Sequence, residues 1–286
     1  MITFIGDIQR IVSDMPRTIK GIYCVTVVLL LGACCPANEH PGQQAGLRPG
    51  FALSFDDRFI DEWFSLRVLF KQYGAKATFY LTQPDSLSAS DISKLRQLVA
   101  EGHEIGCHGA LHLNATRYLL THSRATYIDV EIESAQRSLG RLGFAAPTFA
   151  YPFGADNWYI NQVLRQRFTL LRDTYSLARS LTGLHGEQSI VDADPVYFRM
   201  SQGPRVQALG IDADRMLSGH DLKKGLLRAK ARGEVLLLYA HCPVRNLGPN
   251  RTNKMKVRIE LLTFLLKTAH ELGLKSYTMS QLTTIH

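Results

Sequence analysis

The sequence predicts an α/β fold in which parallel strands alternate with helices. Strand-like and helix-like segments follow one another from Phe51 onward, which is typical of βα units around a parallel sheet. Because a β/α barrel exposes the carboxyl ends of its strands on one rim, residues at strand ends are expected to converge there. Four strand-like segments end on residues suited to metal-assisted hydrolysis, namely Asp56-Asp57, His108, Pro152 and His241.

The first half of the domain contains four predicted strands, each followed by a predicted helix or loop. Short apolar runs predict the strands Phe51–Phe55, Ala77–Leu81, His103–Cys107 and Thr148–Tyr151. Apolar residues spaced three and four apart predict helices over Ile60–Tyr73, from Ser90 to Gly102, over Tyr127–Leu142 and over Asn157–Phe168.

The second half is less regular. Leu170–Leu217 contains short ambiguous runs and several glycines, and it predicts no clear element. After it, Ser218–Asp221 resembles a capping box before a helix at Leu222–Ala231. The apolar run Val235–Ala240 predicts a strand buried on both faces, and Val257–Leu272 predicts an amphipathic helix. One domain over residues 50–286 is the simplest interpretation.

The composition is that of an ordinary globular protein. Of the 286 residues, 45% are hydrophobic and 20% are charged, which is enough for one sizeable core. The formal net charge is +8, yet no aromatic-and-basic recognition motif accompanies it, so nucleic-acid binding is not expected. A modest basic cluster is interpreted as a solvated helix face, and it comprises Arg245, Arg251, Lys254, Lys256 and Arg258.

Residues 1–34 resemble an export signal. Arg17 and Lys20 precede the apolar run Ile22–Leu31, which is shorter than the roughly 20 residues needed to span a bilayer. Leu31-Gly32-Ala33-Cys34 resembles a bacterial lipobox, in which Cys34 is lipidated; a plain signal peptide and a buried N-terminal helix are the alternatives. Residues 35–49 would then be a flexible linker between a membrane anchor and a domain facing the periplasm or exterior.

Two histidines and two aspartates suggest a metal site. His108 and His112 lie four residues apart, so one helical turn or a tight loop directs both imidazoles at one ion. Asp57 adds a carboxylate ligand, and Asp56 points elsewhere on an extended segment, which leaves it free to act as a base. Each motif alone is also explained by surface histidines or a turn, and their joint occurrence is the specific signal.

The same segments resemble a known family. Ser54–Asp57, Gly102–His108 with His112, Tyr151–Gly154 and Leu236–His241 are similar, in this order, to the motifs of polysaccharide deacetylases, the NodB-homology group or carbohydrate esterase family 4. The resemblance implies a distorted (β/α) barrel of about seven parallel strands. It also implies that Asp57, His108 and His112 bind a divalent metal, zinc in the first place with Co²⁺ or Ni²⁺ as alternatives.

The resemblance implies further roles around that metal. Asp56 matches the catalytic base, His241 matches the group that protonates the leaving group, and the backbone N–H of Phe153 matches an oxyanion donor. The residues expected to line the substrate site are Tyr151, Pro152 and Leu238, with Leu238 beside the acetyl methyl group.

Several positions depart from the family pattern. Arg58 stands where glycine is frequent, Gly109 where Ser or Thr is usual, and Ala150 where an arginine commonly orients the base. Arg199 is our candidate to replace that arginine, with a surface arginine as the alternative. Asp192 or Asp194 is expected to support His241.

The sequence therefore predicts a metal-dependent hydrolase that releases acetate from an acetylated polysaccharide or oligosaccharide. N-acetyl groups of an amino-sugar polymer are the preferred target, and an O-acetyl esterase is the main variant. A degenerate glycan-binding envelope lipoprotein is the alternative from another class. Two further pairs stay open: Cys107 and Cys242 as a disulfide or as buried thiols, and Trp63 and Trp158 as sugar-stacking or core residues.

Overall fold

The computed structural model describes residues 46–177, 189–200, 202–248 and 254–284. All of them belong to one compact unit, Ala45–His286. The predicted signal peptide with Cys34 and most of the predicted linker 35–49 lie outside the described residues, so both stay predictions. None of the described helices is long and apolar enough to cross a membrane.

Seven parallel strands form a closed barrel. The strands of the domain are β1 (Gly50–Asp57), β2 (Ala77–Leu81), β3 (Glu104–Cys107), β4 (Thr148–Ala150), β5 (Leu170–Tyr175), β6 (Tyr197–Phe198), β7 (Arg205–Gly210), β8 (Val235–Ala240), β9 (Cys242–Val244), β10 (Lys256–Arg258) and β11 (Lys275–Tyr277). Strands β1, β2, β3, β4, β5, β7 and β8 pair in that order, and β8 pairs back to β1. The predicted barrel of about seven parallel strands is confirmed.

Three pairings distort this barrel or extend it. β11 pairs with the first residues of β1, and β2 pairs with its last residues, so β1 changes partner along its length. β6 pairs antiparallel with the start of β8. β9 and β10 form a separate parallel pair just beyond the end of β8, next to the C-terminal rim.

Helices cover the outside of the barrel. They are α1 (Ile60–Ser65), α2 (Arg67–Gln72), α3 (Ala89–Ala100), α4 (Ala115–Tyr118), α5 (Arg124–Tyr127), α6 (Ser134–Arg141), α7 (Trp158–Leu164), α8 (Gly219–Arg232), α9 (Ile259–Glu271) and α10 (Gln281–Thr284). A π-helical turn, Ile128–Glu133, joins α5 to α6. The capping box predicted at Ser218 and Asp221 is confirmed. The helix predicted from Ser90 is α3, which begins one residue earlier and is capped by Ser88.

The side chains of each barrel strand alternate between two cores, because successive residues point to opposite faces. The outer core lies between strands and helices and includes Phe55, Phe79 and Leu238. The interior holds smaller and aromatic residues such as Ala52, Tyr80 and Tyr239. Any side chain that reaches the active-site rim from inside the barrel must therefore belong to the inward-facing set.

Candidate active site

The three predicted metal ligands meet at the C-terminal ends of β1 and β3. Oδ1 of Asp57 lies 3.2 Å from Nε2 of His112 and 3.6 Å from Nε2 of His108, and the two imidazole nitrogens are 3.3 Å apart. Donor atoms arranged as a tetrahedron about 2.1 Å from one zinc ion are about 3.4 Å from each other. The donor set therefore fits a zinc-type ion, and it is the one such cluster among the described residues.

A backbone contact orients His108, and neighbouring imidazoles keep Asp57 ionised. Nδ1 of the buried His108 lies 2.9 Å from the carbonyl oxygen of Ala150. Because a carbonyl oxygen can only accept a hydrogen bond, the proton of the neutral imidazole lies on Nδ1, and Nε2 is left free to bind a metal in the cluster. Burial alone raises the pKa of Asp57, but the hydrogen bonds with His108 and His112 outweigh burial and hold that pKa well below its ordinary value. The cluster thus offers an anionic oxygen and an oriented imidazole.

Arg172, and not Arg199, contacts the predicted base. Nη2 of Arg172 donates hydrogen bonds to both carboxylate oxygens of Asp56, and the two side chains are 0% and 4% exposed. Arg172 lies on β5 at the position that pairs with Ala150 of β4. The guanidinium therefore reaches Asp56 from the strand next to the one on which the family pattern places it.

Aromatic rings enclose this ion pair. The guanidinium carbon of Arg172 is 5.2 Å from the ring centre of Tyr80 and 4.9 Å from that of Tyr239. Cation–π contacts of this kind stabilise a guanidinium whose remaining N–H groups lack a hydrogen-bond partner among the described residues. Asp56 is consequently held in one orientation beneath the rim.

The prediction for Arg199 is wrong because Arg199 lies at the opposite end of the barrel. It follows β6, whose Phe198 pairs with Val235, the first residue of β8. Its Nε donates to the buried carboxylate of Glu234 at 2.8 Å, and Arg228 contacts the same carboxylate. Arg199 neutralises a structural carboxylate far from the rim.

His241 forms a tight pair with Asp212, which the sequence reasoning missed. Nδ1 of His241 lies 2.6 Å from Oδ2 of Asp212, and the backbone N–H of His241 donates to Oδ1 at 3.1 Å. Burial disfavours the imidazolium, but the bond to Asp212 and the charges of Asp56 and Asp57 raise the pKa of His241 to about 9. The imidazole is therefore protonated at neutral pH and able to donate a proton.

Asp192 and Asp194 do not support His241, and that prediction is wrong. Both are exposed and lie in short 3₁₀ turns before β6. Asp194 pairs with Arg228 and lies near Arg199, at the end of the barrel away from the site. Asp212 follows the end of β7, so it obeys the same strand-end rule as the other site residues.

We expect Asp212→Asn to move the alkaline limb of the kcat/KM profile to lower pH. The raised pKa keeps His241 charged below about pH 9, and proton donation is lost as the pH rises through that value. Asparagine retains the shape of the side chain but removes its charge, which brings the pKa back towards about 6.5. The measurement is a pH–rate profile, with Asp194→Asn as the matched control. An unchanged limb in Asp212→Asn would mean that another group donates the proton.

Phe153 lies beside the metal ligands. It sits in the 3₁₀ turn Pro152–Gly154 with a left-handed φ of 62°, and its ring centre is 4.5 Å from that of His112. The side chain is 66% exposed. Phe153 therefore occupies the rim next to the cluster, as the sequence implied.

The other predicted substrate residues, Tyr151, Pro152 and Leu238, are buried, and their contact with a substrate stays a prediction. Tyr151 is 1% exposed, and its hydroxyl donates to Asn161 inside the domain. Pro152 is buried in its turn, and Leu238 faces the outer core rather than the barrel interior. Tyr239 is the inward-facing neighbour on β8, with its ring 5.7 Å from that of His241.

The structure also bears on the two pairs left open by the sequence. Trp63 is fully buried, and its indole N–H donates to the carbonyl oxygen of His241 at 3.0 Å, so it is a core residue. Trp158, at the start of α7, is 74% exposed. Cys107 and Cys242 are both free, buried thiols, and no disulfide joins them.

Comparison with known families agrees with this geometry. Residues 45–168 match the family model described as polysaccharide deacetylase. This part of the chain is therefore similar to polysaccharide deacetylases. The matched range includes the metal ligands, Asp56 and Phe153, whereas Arg172, Asp212 and His241 follow it.

Solved structures share the deacetylase fold. The chitin deacetylase from the fungal pathogen Colletotrichum lindemuthianum is 17% identical with a TM-score of 0.53, over 85% of this chain and 92% of that chain. The catalytic domain of a peptidoglycan N-acetylglucosamine deacetylase from Eubacterium rectale is 15% identical with a TM-score of 0.50, over 89% and 96% of the two chains. Identities at this level establish a common fold alone.

One curated protein matches in sequence. A gellan lyase from a Bacillus species is 33% identical over 136 residues, which are 47% of this chain and 5% of the lyase. The chain thus spans a small fraction of that protein.

Proposed function

We propose that this protein is a metal-dependent hydrolase that removes acetyl groups from a carbohydrate polymer, with N-acetyl groups as the main target. The observation that carries the proposal is the meeting of Asp57, His108 and His112 on a rim that also holds Asp56 and His241. The family of residues 45–168 supports the same reaction class. A bound divalent metal, zinc in the first place, would polarise the acetyl carbonyl and lower the pKa of a water molecule.

The residues of the chain supply the proton transfers in this proposal. Asp56, oriented by Arg172, accepts a proton from the attacking water. The backbone N–H of Phe153 stabilises the charge that develops on the carbonyl oxygen. His241, kept protonated by Asp212, donates a proton to the departing group as acetate is released.

The raised pKa of His241 favours an amide substrate over an ester. An amine leaves only when it is protonated, so its departure depends strongly on a charged donor at neutral pH. An O-acetyl esterase would use the same residues and remains the main variant. A base without an orienting arginine would favour the glycan-binding alternative, because Ala150 stands where that arginine is common. The contact between Arg172 and Asp56 argues against this alternative.

Acetate release from a panel of acetylated glycans, combined with metal analysis, tests the proposal. The panel contains N-acetylated amino-sugar oligomers and O-acetylated xylan. We expect acetate from the N-acetylated oligomers, loss of release after chelation, and recovery with added Zn²⁺. Bound metal without acetate from any glycan would favour a binding role, and a protein that binds no metal would overturn both functions.

We also propose that the protein is exported and anchored to a membrane through a lipid on Cys34. The support is the order of basic, apolar and small residues that ends in Leu31-Gly32-Ala33-Cys34. Membrane fractionation of the wild type and Cys34→Ala tests this anchor independently of the hydrolase.

A further inference from the structure

One buried carboxylate holds the loop that carries His112. The backbone N–H groups of Leu111 and Leu113, the residues on either side of His112, donate to Oε2 and Oε1 of Glu131 at 2.7 and 2.8 Å. The N–H of Ala110 donates to the backbone oxygen of Glu131 at 2.9 Å. Glu131 therefore binds the loop at three points around the metal ligand, two before His112 and one after it.

Glu131 is an unusual residue for this position. Its side chain is fully buried, and the hydrogen bonds described for its carboxylate come from backbone N–H groups. A buried carboxylate is costly unless hydrogen bonds stabilise it, so its retention calls for a local reason. It lies in the π-helical turn Ile128–Glu133, a rare geometry that is frequent at functional sites.

The close fit also explains the glycine after His108. A Cβ atom at Gly109 would lie 2.0 Å from Oε1 of Glu131, and the φ of Gly109 is +82°. A side chain at position 109 would therefore displace the carboxylate from the loop. The position of the Glu131 carboxylate therefore requires glycine at position 109.

His112 itself needs external support. Its φ is 59°, in the left-handed region, where a residue with a side chain carries a strain on the order of 1 kcal/mol. The bonds from Glu131 fix the peptide groups before and after this residue. We propose that Glu131 is a positioning residue that holds His112 in its ligating geometry and thereby sets the metal affinity of the site. This inference rests on the metal site of the proposed function and on no particular substrate.

Metal titration of the chelator-treated, metal-free protein tests the inference. We expect Glu131→Ala to raise the Kd for Zn²⁺ about 10- to 100-fold, the range typical for partners of metal ligands. Glu133→Gln is the matched control, because Glu133 lies in the same turn but is 38% exposed and pairs with Arg167. We expect its Kd to equal that of the wild type. Should Glu131→Ala fail to fold, Glu131→Gln keeps one acceptor oxygen and should show a smaller rise.

A double-mutant cycle separates positioning from general stability. If Glu131 acts through His112, then Glu131→Ala adds no further loss of Zn²⁺ affinity in a His112→Ala background. An equal loss in both backgrounds, or an unchanged Kd in folded Glu131→Ala, would overturn the inference. A wild type that binds Zn²⁺ but releases no acetate would contradict the proposed hydrolase alone, whereas a wild type without Zn²⁺ binding would overturn both.

Discussion

Replacing Arg172 with leucine is expected to lower kcat/KM by about 10²- to 10⁴-fold, which is the contribution typical of a positioned general base. The guanidinium of Arg172 is the partner that orients Asp56, and both groups are buried. Removing one member of a buried ion pair leaves an uncompensated charge, so the free energy of unfolding should also fall by about 3–5 kcal/mol. The measurements are acetate release, Zn²⁺ titration and thermal unfolding. Zn²⁺ affinity should change little, because Arg172 contacts no metal ligand.

The barrel provides a rescue variant for this experiment. Ala150 is the register partner of Arg172 on the neighbouring strand, and it belongs to the interior core. An arginine introduced by Ala150→Arg in the Arg172→Leu background is expected to recover at least about tenfold in kcat/KM, because a second guanidinium then reaches Asp56. Arg199→Ala is the control and should leave kcat/KM unchanged. Full activity in Arg172→Leu, or equal losses in Arg172→Leu and Arg199→Ala, would show that Asp56 does not depend on Arg172.

The two neighbouring aspartates are expected to give opposite results in metal binding. Asp57→Ala and His112→Ala should abolish acetate release and weaken Zn²⁺ binding severely, since each removes one of three ligands. Asp56→Asn should retain the metal and lose at least about 10²-fold in kcat, because Asp56 contacts Arg172 rather than the cluster. Zn²⁺ titration of each variant, paired with acetate release, makes the comparison. Loss of metal from Asp56→Asn would mean that the two carboxylates have exchanged roles.

Strand ends were the most reliable signal in the sequence. The strands Ala77–Leu81 and Val235–Ala240 are found as predicted, and the other three predicted strands differ by one or two residues at their ends. Short apolar runs bounded by turn residues fix such strands locally, and the barrel rim then brings their ends together. The same rule would have identified Asp212, but β7 lies in the segment that predicted no clear element.

The role of Arg172 as the partner of Asp56 could not be predicted from the sequence, for a different reason. The strand Leu170–Tyr175 places an arginine and an aspartate beside apolar residues, so it lacks the alternation of a half-buried strand and the continuous apolar run of a buried one. An arginine is buried there because Asp56 comes from β1, more than a hundred residues away. Local propensity does not report such a long-range pair. The register partner Ala150 was the available hint.

The closing contact between β1 and β8 has a practical consequence for fragments of this chain. Gly50–Phe55 of β1 pair with Val235–Ala240 of β8, so the barrel is closed by two segments that lie far apart in the sequence. The family-matched stretch 45–168 includes β1 to β4 but omits β5, β7 and β8. Expressed by itself, it would present two unsatisfied strand edges, which are templates for intermolecular pairing. Shortened versions of the protein should therefore begin before Gly50 and extend past β11.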